Sequence, residues 1–264
     1  MIEVHRGSGP IVLGLPHTGT DLVDEIGDKL NDRGRALADT DWNIHHLYSG
    51  LLDDVTTVRT PIHRYVIDVN RAGNDASLYP GQNTTGLCPV TDFDGEPIYR
   101  DGCEPDAQEI ENRRRKWHHP YHQALSTELS RVKQAHGCVI LYDCHSIRSH
   151  IPYLFAENLP DFNIGTNSST SCAGAVEEMV HKNCRSAEGY TTVINGRFKG
   201  GWTTRHYGQP KAGIHAIQME LAQSTYMNEA PPWAYDAAKA DQLRKVLSCI
   251  LKELEQLVTS GELQ

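Results

Sequence analysis

The chain has 264 residues, 39% hydrophobic and 22% charged, with a net charge of −9, a balance that permits one sizeable buried core and excludes a disordered or fibrous protein. The acidic total disfavours a nucleic-acid partner, since phosphate binding needs a clustered basic surface, and no apolar run reaches the eighteen or so residues of a membrane span. The N-terminus MIEVHRGSGP lacks the basic start and apolar centre of a signal peptide, and the seven cysteines form no C-x-x-C pair, so a cytoplasmic protein with reduced thiols is expected.

In chain order, 11-IVLGL-15 is a continuous apolar run closed by Pro16 and reads as a buried strand ending at His17. Residues 21–33 read as one helix, 55-VTTVR-59 as a weaker strand, and 65-YVIDV-69 as a stronger one. A long helical region covers 105–136, kinked or divided at Pro120 and stopped by Gly137 before the strand 138-CVILYD-143. The basic run Arg113 to Lys116 within it reads as a solvated helix face. Residues 172–186 form the next helical pattern, then come 191-TTVING-196 and 215-HAIQMEL-221 as strands. The last helix, 236–259, places Leu243, Leu247, Ile250, Leu251 and Leu254 on one stripe. Continuous rather than alternating apolarity points to a sheet covered on both faces, hence one α/β domain over 1–264 with a mostly parallel or mixed sheet. The stretches at about 72–104 and 146–170, rich in Gly, Pro, Asn and Asp, are expected as functional loops over one sheet edge.

Ligands in open α/β sheets bind beyond the carboxyl ends of the strands, and that is where polar residues gather here. His17 follows the first strand, Asn70 and Arg71 follow 65-YVIDV-69, His145 follows 138-CVILYD-143, and Glu220 lies near the end of 215-HAIQMEL-221. Each has a plainer alternative. His17 caps a turn, His145 forms a buried pair with Asp143, or Arg71 makes a structural ion pair with Asp68 or Asp75. Glu220 resists that treatment, because a carboxylate in so apolar a run is costly without a purpose. The pair His118 and His122 has i, i+4 spacing but no acid between, and reads as a surface or interface feature. No G-x-S-x-G elbow, phosphate-binding glycine loop or G-x-G-x-x-G is present, which removes support for a serine hydrolase, a kinase or a dinucleotide enzyme.

Taken together, 16-PHTG-19, 39-DTDW-42, 67-IDVNR-71, 145-HSIRSHIP-152, 161-DFNIGT-166, 195-NGRFKGG-201, 204-TRHYG-208 and 219-MELAQSTYM-227 resemble the N-formylglutamate amidohydrolase family, in order from about His17 to Met227. That family is similar in fold to zinc carboxypeptidases and aspartoacylase-like deacylases, which implies a phosphorylase/hydrolase-like three-layer α/β/α sandwich around a mixed sheet. The resemblance implies one divalent metal ion, zinc or else cobalt, iron or manganese, held by two histidines and a carboxylate. His17 and His145 match the imidazoles. Carboxypeptidases place a Glu three residues after the first His, where this chain has Thr20, so the carboxylate comes from elsewhere: Asp41 is the choice, with Asp39 and Asp21 as rivals. Asn70 and Arg71 match the substrate-carboxylate pair of those relatives, and Glu220 takes the place of their general base.

The implied reaction is hydrolysis of N-formyl-L-glutamate to formate and L-glutamate in histidine degradation. A protein of charge −9 attracts that dicarboxylate only through local guanidiniums. Arg71 is assigned the α-carboxylate or the oxyanion, Arg148, Arg197 and Arg205 the region of the side-chain carboxylate, and His206 a polar contact. Two rivals stand beside this reading, a deacylase for another N-acylated acidic amino acid and a catalytically silent metal-bound binding protein. The sequence leaves the oligomeric state open.

Overall fold

The computed structural model describes residues 1–78 and 80–263. Strands β1 (Glu3–His5), β2 (Ile11–Leu15), β3 (Thr56–Arg59), β4 (Val139–Ile147), β5 (Phe162–Gly165), β6 (Thr192–Ile194) and β7 (Ile214–Ala222) form one sheet in the order β1-β3-β2-β4-β7-β5-β6. The central strands β3, β2, β4 and β7 run parallel, β1 pairs antiparallel at one edge, and β5 pairs antiparallel with β7 while running parallel to β6. The sheet is therefore mixed, as expected.

Strand alternation divides the core into two layers. Ile140, Tyr142, Ile217, Met219, Phe162 and Ile164 pack on one face against α3 (Ile44–Tyr48), α6 (Gly174–Ser186) and α8 (Ala237–Thr259). Val12, Val139, Leu141 and Ala216 point the other way, against α5 (His119–His136) and its residues Tyr121, Leu125, Leu129 and Val132. The predicted stripe of α8 is the buried one: Leu243, Leu247, Ile250, Leu251 and Leu254 are each fully inaccessible. Asp236 caps its start, accepting from the amides of Ala238 and Lys239. The remaining short helix, α7 (Trp202–Tyr207), packs against β7 and β4.

Four expectations need correction. Residues 21–33 hold two separate turns, α1 (Asp24–Gly27) and α2 (Asp32–Arg35), rather than one helix. Asn31 caps α2 by accepting from Gly34 N–H at 2.9 Å, and within α2 a Cβ on Gly34 would meet Ile98 O at 2.3 Å. The run 65-YVIDV-69 is not a strand but a turn-rich segment crossing under α5. Its apolarity records burial rather than extension. The region 105–136 consists of α4 (Ala107–Arg113), a π-helical turn over Arg114–His118, and α5, with Pro120 in the first turn of α5. Arg113, read as solvated, is 1% exposed. Lastly, β5 lies inside a stretch read as loop.

Among the described residues no helix is long and apolar enough to cross a membrane. Leu251 is fully buried in the larger core cluster. Replacing it by Ala should lower unfolding free energy by ~2–5 kcal/mol, the range for a buried Leu-to-Ala cavity; urea titration followed by tryptophan fluorescence reads the change.

Candidate active site

The parallel strands β2, β4 and β7 end on one edge, and their pleat aims the polar side chains. His145 and Glu220 are register partners on adjacent strands, and by alternation both share the face of Val139, Leu141, Asp143 and Gln218. His17 follows Pro16 immediately beyond β2. His145 and Glu220 lie inside nine-residue strands, longer than the sequence runs suggest.

Two imidazoles and a carboxylate meet there. His17 Nδ1 lies 3.2 Å from His145 Nδ1, and Asp41 Oδ2 lies 3.0 Å from His145 Nδ1 and 3.8 Å from His17 Nδ1. All three residues are at most 3% exposed, and they offer ligand atoms within 4.8 Å of one another. Each ring is backed by a second carboxylate. Asp68 Oδ1 accepts from His17 Nε2 at 2.7 Å, and Asp143 Oδ2 stands 3.3 Å from His145 Nε2. Asp68 draws the His17 proton to Nε2 and leaves its Nδ1 lone pair facing inward, the arrangement by which outer carboxylates orient metal-ligating histidines, while His145 turns Nδ1 toward the same centre with Asp143 behind its ring. The residues fit a metal ion: Nδ1 of both rings and the Asp41 carboxylate converge on one buried point. Asp41 supplies that carboxylate, while Asp39 turns away to accept from Phe93 N–H at 2.8 Å and Asp21 lies at the surface.

Electrostatics follow from burial. Burial works against a charge on His145, but Asp143 and Asp41 outweigh it and hold its pKa well above the ordinary value. For His17, burial and the Arg64 cation prevail and the pKa falls. Asp68 resists its own burial because Arg71, His17 and Arg64 surround it, and its pKa sits well below the usual carboxylate range. Glu220 has no such escort. Burial pushes its pKa up to about 8, against the opposing charge of His145.

A cavity opens onto these groups, lined by His17, His145, Glu220, Asn70, Arg71 and Arg197 among others. Asn70 is held on both sides of its amide, with Oδ1 accepting from Thr203 N–H at 2.8 Å and Nδ2 3.1 Å from His145 Nε2. Arg71 is steadied by Thr85 O at 2.8 Å, and Arg197 by Leu154 O at 3.1 Å. Arg148, Arg205 and His206 do not line the cavity. Arg148 pairs with Asp94 at 3.1 Å, Arg205 donates to Gly200 O at 2.8 Å, and His206 stacks on Trp202 at 4.2 Å.

Three contributors escaped the sequence reading. Arg64 is buried, binds Asp68 at 2.6 Å and lies over the Phe93 ring at the cavity wall; the adjoining apolar run reads as a strand in sequence, which hides its direction. Gln218 links Gly201 N–H (2.7 Å) to Glu220 Oε2 (3.0 Å); period-2 spacing from Glu220 was its signal. Asp68 had figured only as a salt-bridge partner.

The fold and rim define an α/β sandwich with a buried His/Asp/His group suited to a metal ion. A family model described as N-formylglutamate amidohydrolase matches residues 9–227, and the chain belongs to that family. It is 45% identical over 255 residues to N-formylglutamate deformylase of Pseudomonas aeruginosa, covering 96% of each chain. The corresponding protein of Pseudomonas putida is 44% identical over 255 residues, covering 96% of this chain and 95% of its own. The crystal structure of N-formylglutamate amidohydrolase from Ralstonia eutropha JMP134 superposes with a TM-score of 0.82 at 22% identity, over 98% of both chains. A gene product of Agrobacterium tumefaciens does so at 0.70 and 19% identity over 96% of both. These two likenesses concern the fold.

Two predictions follow from this geometry. A Cβ at residue 201 would lie 2.3 Å from Asn70 Nδ2, so Gly201→Ala should displace Asn70 from His145 and lower turnover at least tenfold with little change in melting temperature. Burial raises the Asp39 pKa to about 6 from an unfolded value near 3.8. The native state therefore holds that proton more tightly, and the contribution is present below about pH 4 and lost as pH rises through 6. Asp39→Asn should gain melting temperature relative to the parent between pH 5 and pH 7.5, and calorimetry at both values checks the sign.

Proposed function

We propose that the protein hydrolyses N-formyl-L-glutamate to formate and L-glutamate, in the breakdown of histidine, using one divalent metal ion held by His17, His145 and Asp41. Zinc suits two imidazoles and a carboxylate; cobalt, iron and manganese accept the same donors. When bound, such an ion lowers the pKa of a coordinated water to roughly 7 and polarises the carbonyl under attack. The observation that carries the reading is the buried Glu220 standing as register partner of His145 at the wall of a cavity that also presents Arg71 and Arg197.

The chain's own groups divide the work. Glu220, the general base, takes a proton from the attacking water and returns it to the departing amine. Its Oε2 is held by Gln218 at 3.0 Å, which leaves the other oxygen to serve the reaction. Asp68 holds the His17 ring with Nδ1 inward, and Asp143 backs the His145 ring. Arg71 and Arg197 offer guanidinium forks to the two substrate carboxylates, and Arg71 also lies close enough to Asp68, at 3.8 Å, to be oriented by it. Asn70 bounds the same space from the His145 side. Arg148, Arg205 and His206 act from outside the cavity, by supporting the loops that frame it.

Formate release from N-formyl-L-glutamate should require divalent metal, vanish after chelator treatment and return on reloading; release that survives stripping would overturn the metal assignment. Glu220→Gln should lower kcat by about 10²–10⁴, the usual worth of a positioned general base, while substrate affinity stays within a few fold. Unchanged kcat would remove Glu220 from the chemistry. His145→Ala should lose both metal and turnover with the fold retained, as read by metal content and circular dichroism.

A further inference from the structure

The pair His118 and His122 is neither a surface feature nor idle. His118 is buried at 3% exposure, and its Nε2 lies 2.9 Å from Arg71 O. His122 Nε2 lies 2.8 Å from Val69 O. A carbonyl oxygen only accepts, so both rings are fixed as Nε2–H donors. One further donor comes from the same side of the helical region, since Arg113 Nη1 gives a 3.0 Å bond to Val66 O. The carbonyls of residues 66, 69 and 71 thus all end on side chains of the continuous helical region from α4 to α5.

The spacing of the three donors depends on the π turn. Residues 113 and 118 are five apart across Arg114–His118, and five residues close about one π turn. Residues 118 and 122 are four apart in α5, about one α turn. A regular α-helix would rotate Arg113 well away from the two imidazoles. With the π turn, all three face the 66–71 segment.

That segment has no ladder to hold it. It belongs to no strand, and its backbone is tied otherwise by Val66 N–H to His63 O, Asp68 N–H to Leu87 O and Arg71 N–H to Asp68 O. Yet it carries Asp68, which meets His17, Asn70, which meets His145, and Arg71, which enters the cavity. We propose that Arg113, His118 and His122 form a three-donor rack that sets the height and twist of the 66–71 segment, and that His118 and His122 are positioning residues for the metal-binding imidazoles and Arg71. Burial lowers the pKa of both rings, that of His122 to about 3.

Two double variants separate positioning from packing. His118→Phe with His122→Phe keeps both rings against Trp202 and removes the donors. His118→Gln with His122→Gln returns an N–H near each Nε2 position. Full-length protein is read three ways: amide hydrogen exchange over 66–71, zinc affinity by chelator competition, and kcat and KM for formate release from N-formyl-L-glutamate. The Phe pair should exchange faster in this segment and bind zinc about tenfold or more weakly, as loss of outer-shell support does. Its kcat/KM should fall, and the Gln pair should recover most of each loss without tracking melting temperature. Wild-type exchange and zinc affinity in the Phe pair, or a Gln pair no better than the Phe pair, would overturn the rack. If the Phe pair fails to fold, His118→Phe and His122→Phe singly are judged by the same criteria. The catalytic reading enters only the third readout; a wild type that binds zinc but releases no formate would sink that reading and leave the rack to be decided by the other two.

Discussion

The structure turns on the cost of burying charge. Asp41, Asp68, Asp143 and Glu220 lie within a few residues' width of one another, each at most 7% exposed, with the guanidiniums of Arg64 and Arg71 as their cationic partners. Isolated ionised groups are not tolerated in such surroundings. Four carboxylates against two guanidiniums leave the centre short of positive charge, and a divalent ion between His17, His145 and Asp41 is what this imbalance calls for. The same four acids that make the site unfavourable to fold around nothing make it favourable to fold around a cation.

The sheet supplies the geometry on which this balance rests. Parallel β4 and β7 pair over nine register positions, so His145 and Glu220 stand side by side with no adjustable loop between them. The remaining participants arrive on irregular chain, which the surroundings must fix by side-chain bonds: Asp41 through Ser146 N–H at 3.1 Å, Asn70 through Thr203 N–H, Asp68 through Arg64. Rigid strands place His145 and Glu220, and tethered irregular chain places Asp41, Asp68 and Asn70. In a protein of net negative charge, Arg71 and Arg197 at the cavity wall supply a local positive charge that the overall field lacks.

What the sequence disclosed follows from the same division. The strands β2, β4 and β7 were legible because runs such as 138-CVILYD-143 are apolar on both faces, and their ends located His17, His145 and Glu220. The run 65-YVIDV-69 looked alike but is buried without being extended, and periodicity cannot distinguish the two. Asp41 came from family resemblance alone, since nothing local marks one aspartate of 39-DTDW-42 over the other; only the fold turns Asp39 toward Phe93. Arg148 and Arg205 shared motif segments with Arg197, yet a motif gives adjacency in sequence and not direction in space. The spacing of His118 and His122 gave a shared face, but not what covers it.

The pleat of β4 also keeps a soft ligand away from the centre. Cys144 is next to His145 in sequence and completely buried, and a thiolate is a softer and often stronger partner for zinc or copper than imidazole. Because neighbours on a strand face opposite sides of the sheet, its sulfur lies in the apolar layer with Tyr142 and Phe162, where burial holds the thiol far above its ordinary pKa. A one-residue slip of β4 against β7 would exchange the two faces and bring sulfur to the centre. The thickness of a single sheet therefore separates a hard, oxygen- and nitrogen-lined pocket from a soft ligand only one peptide bond away.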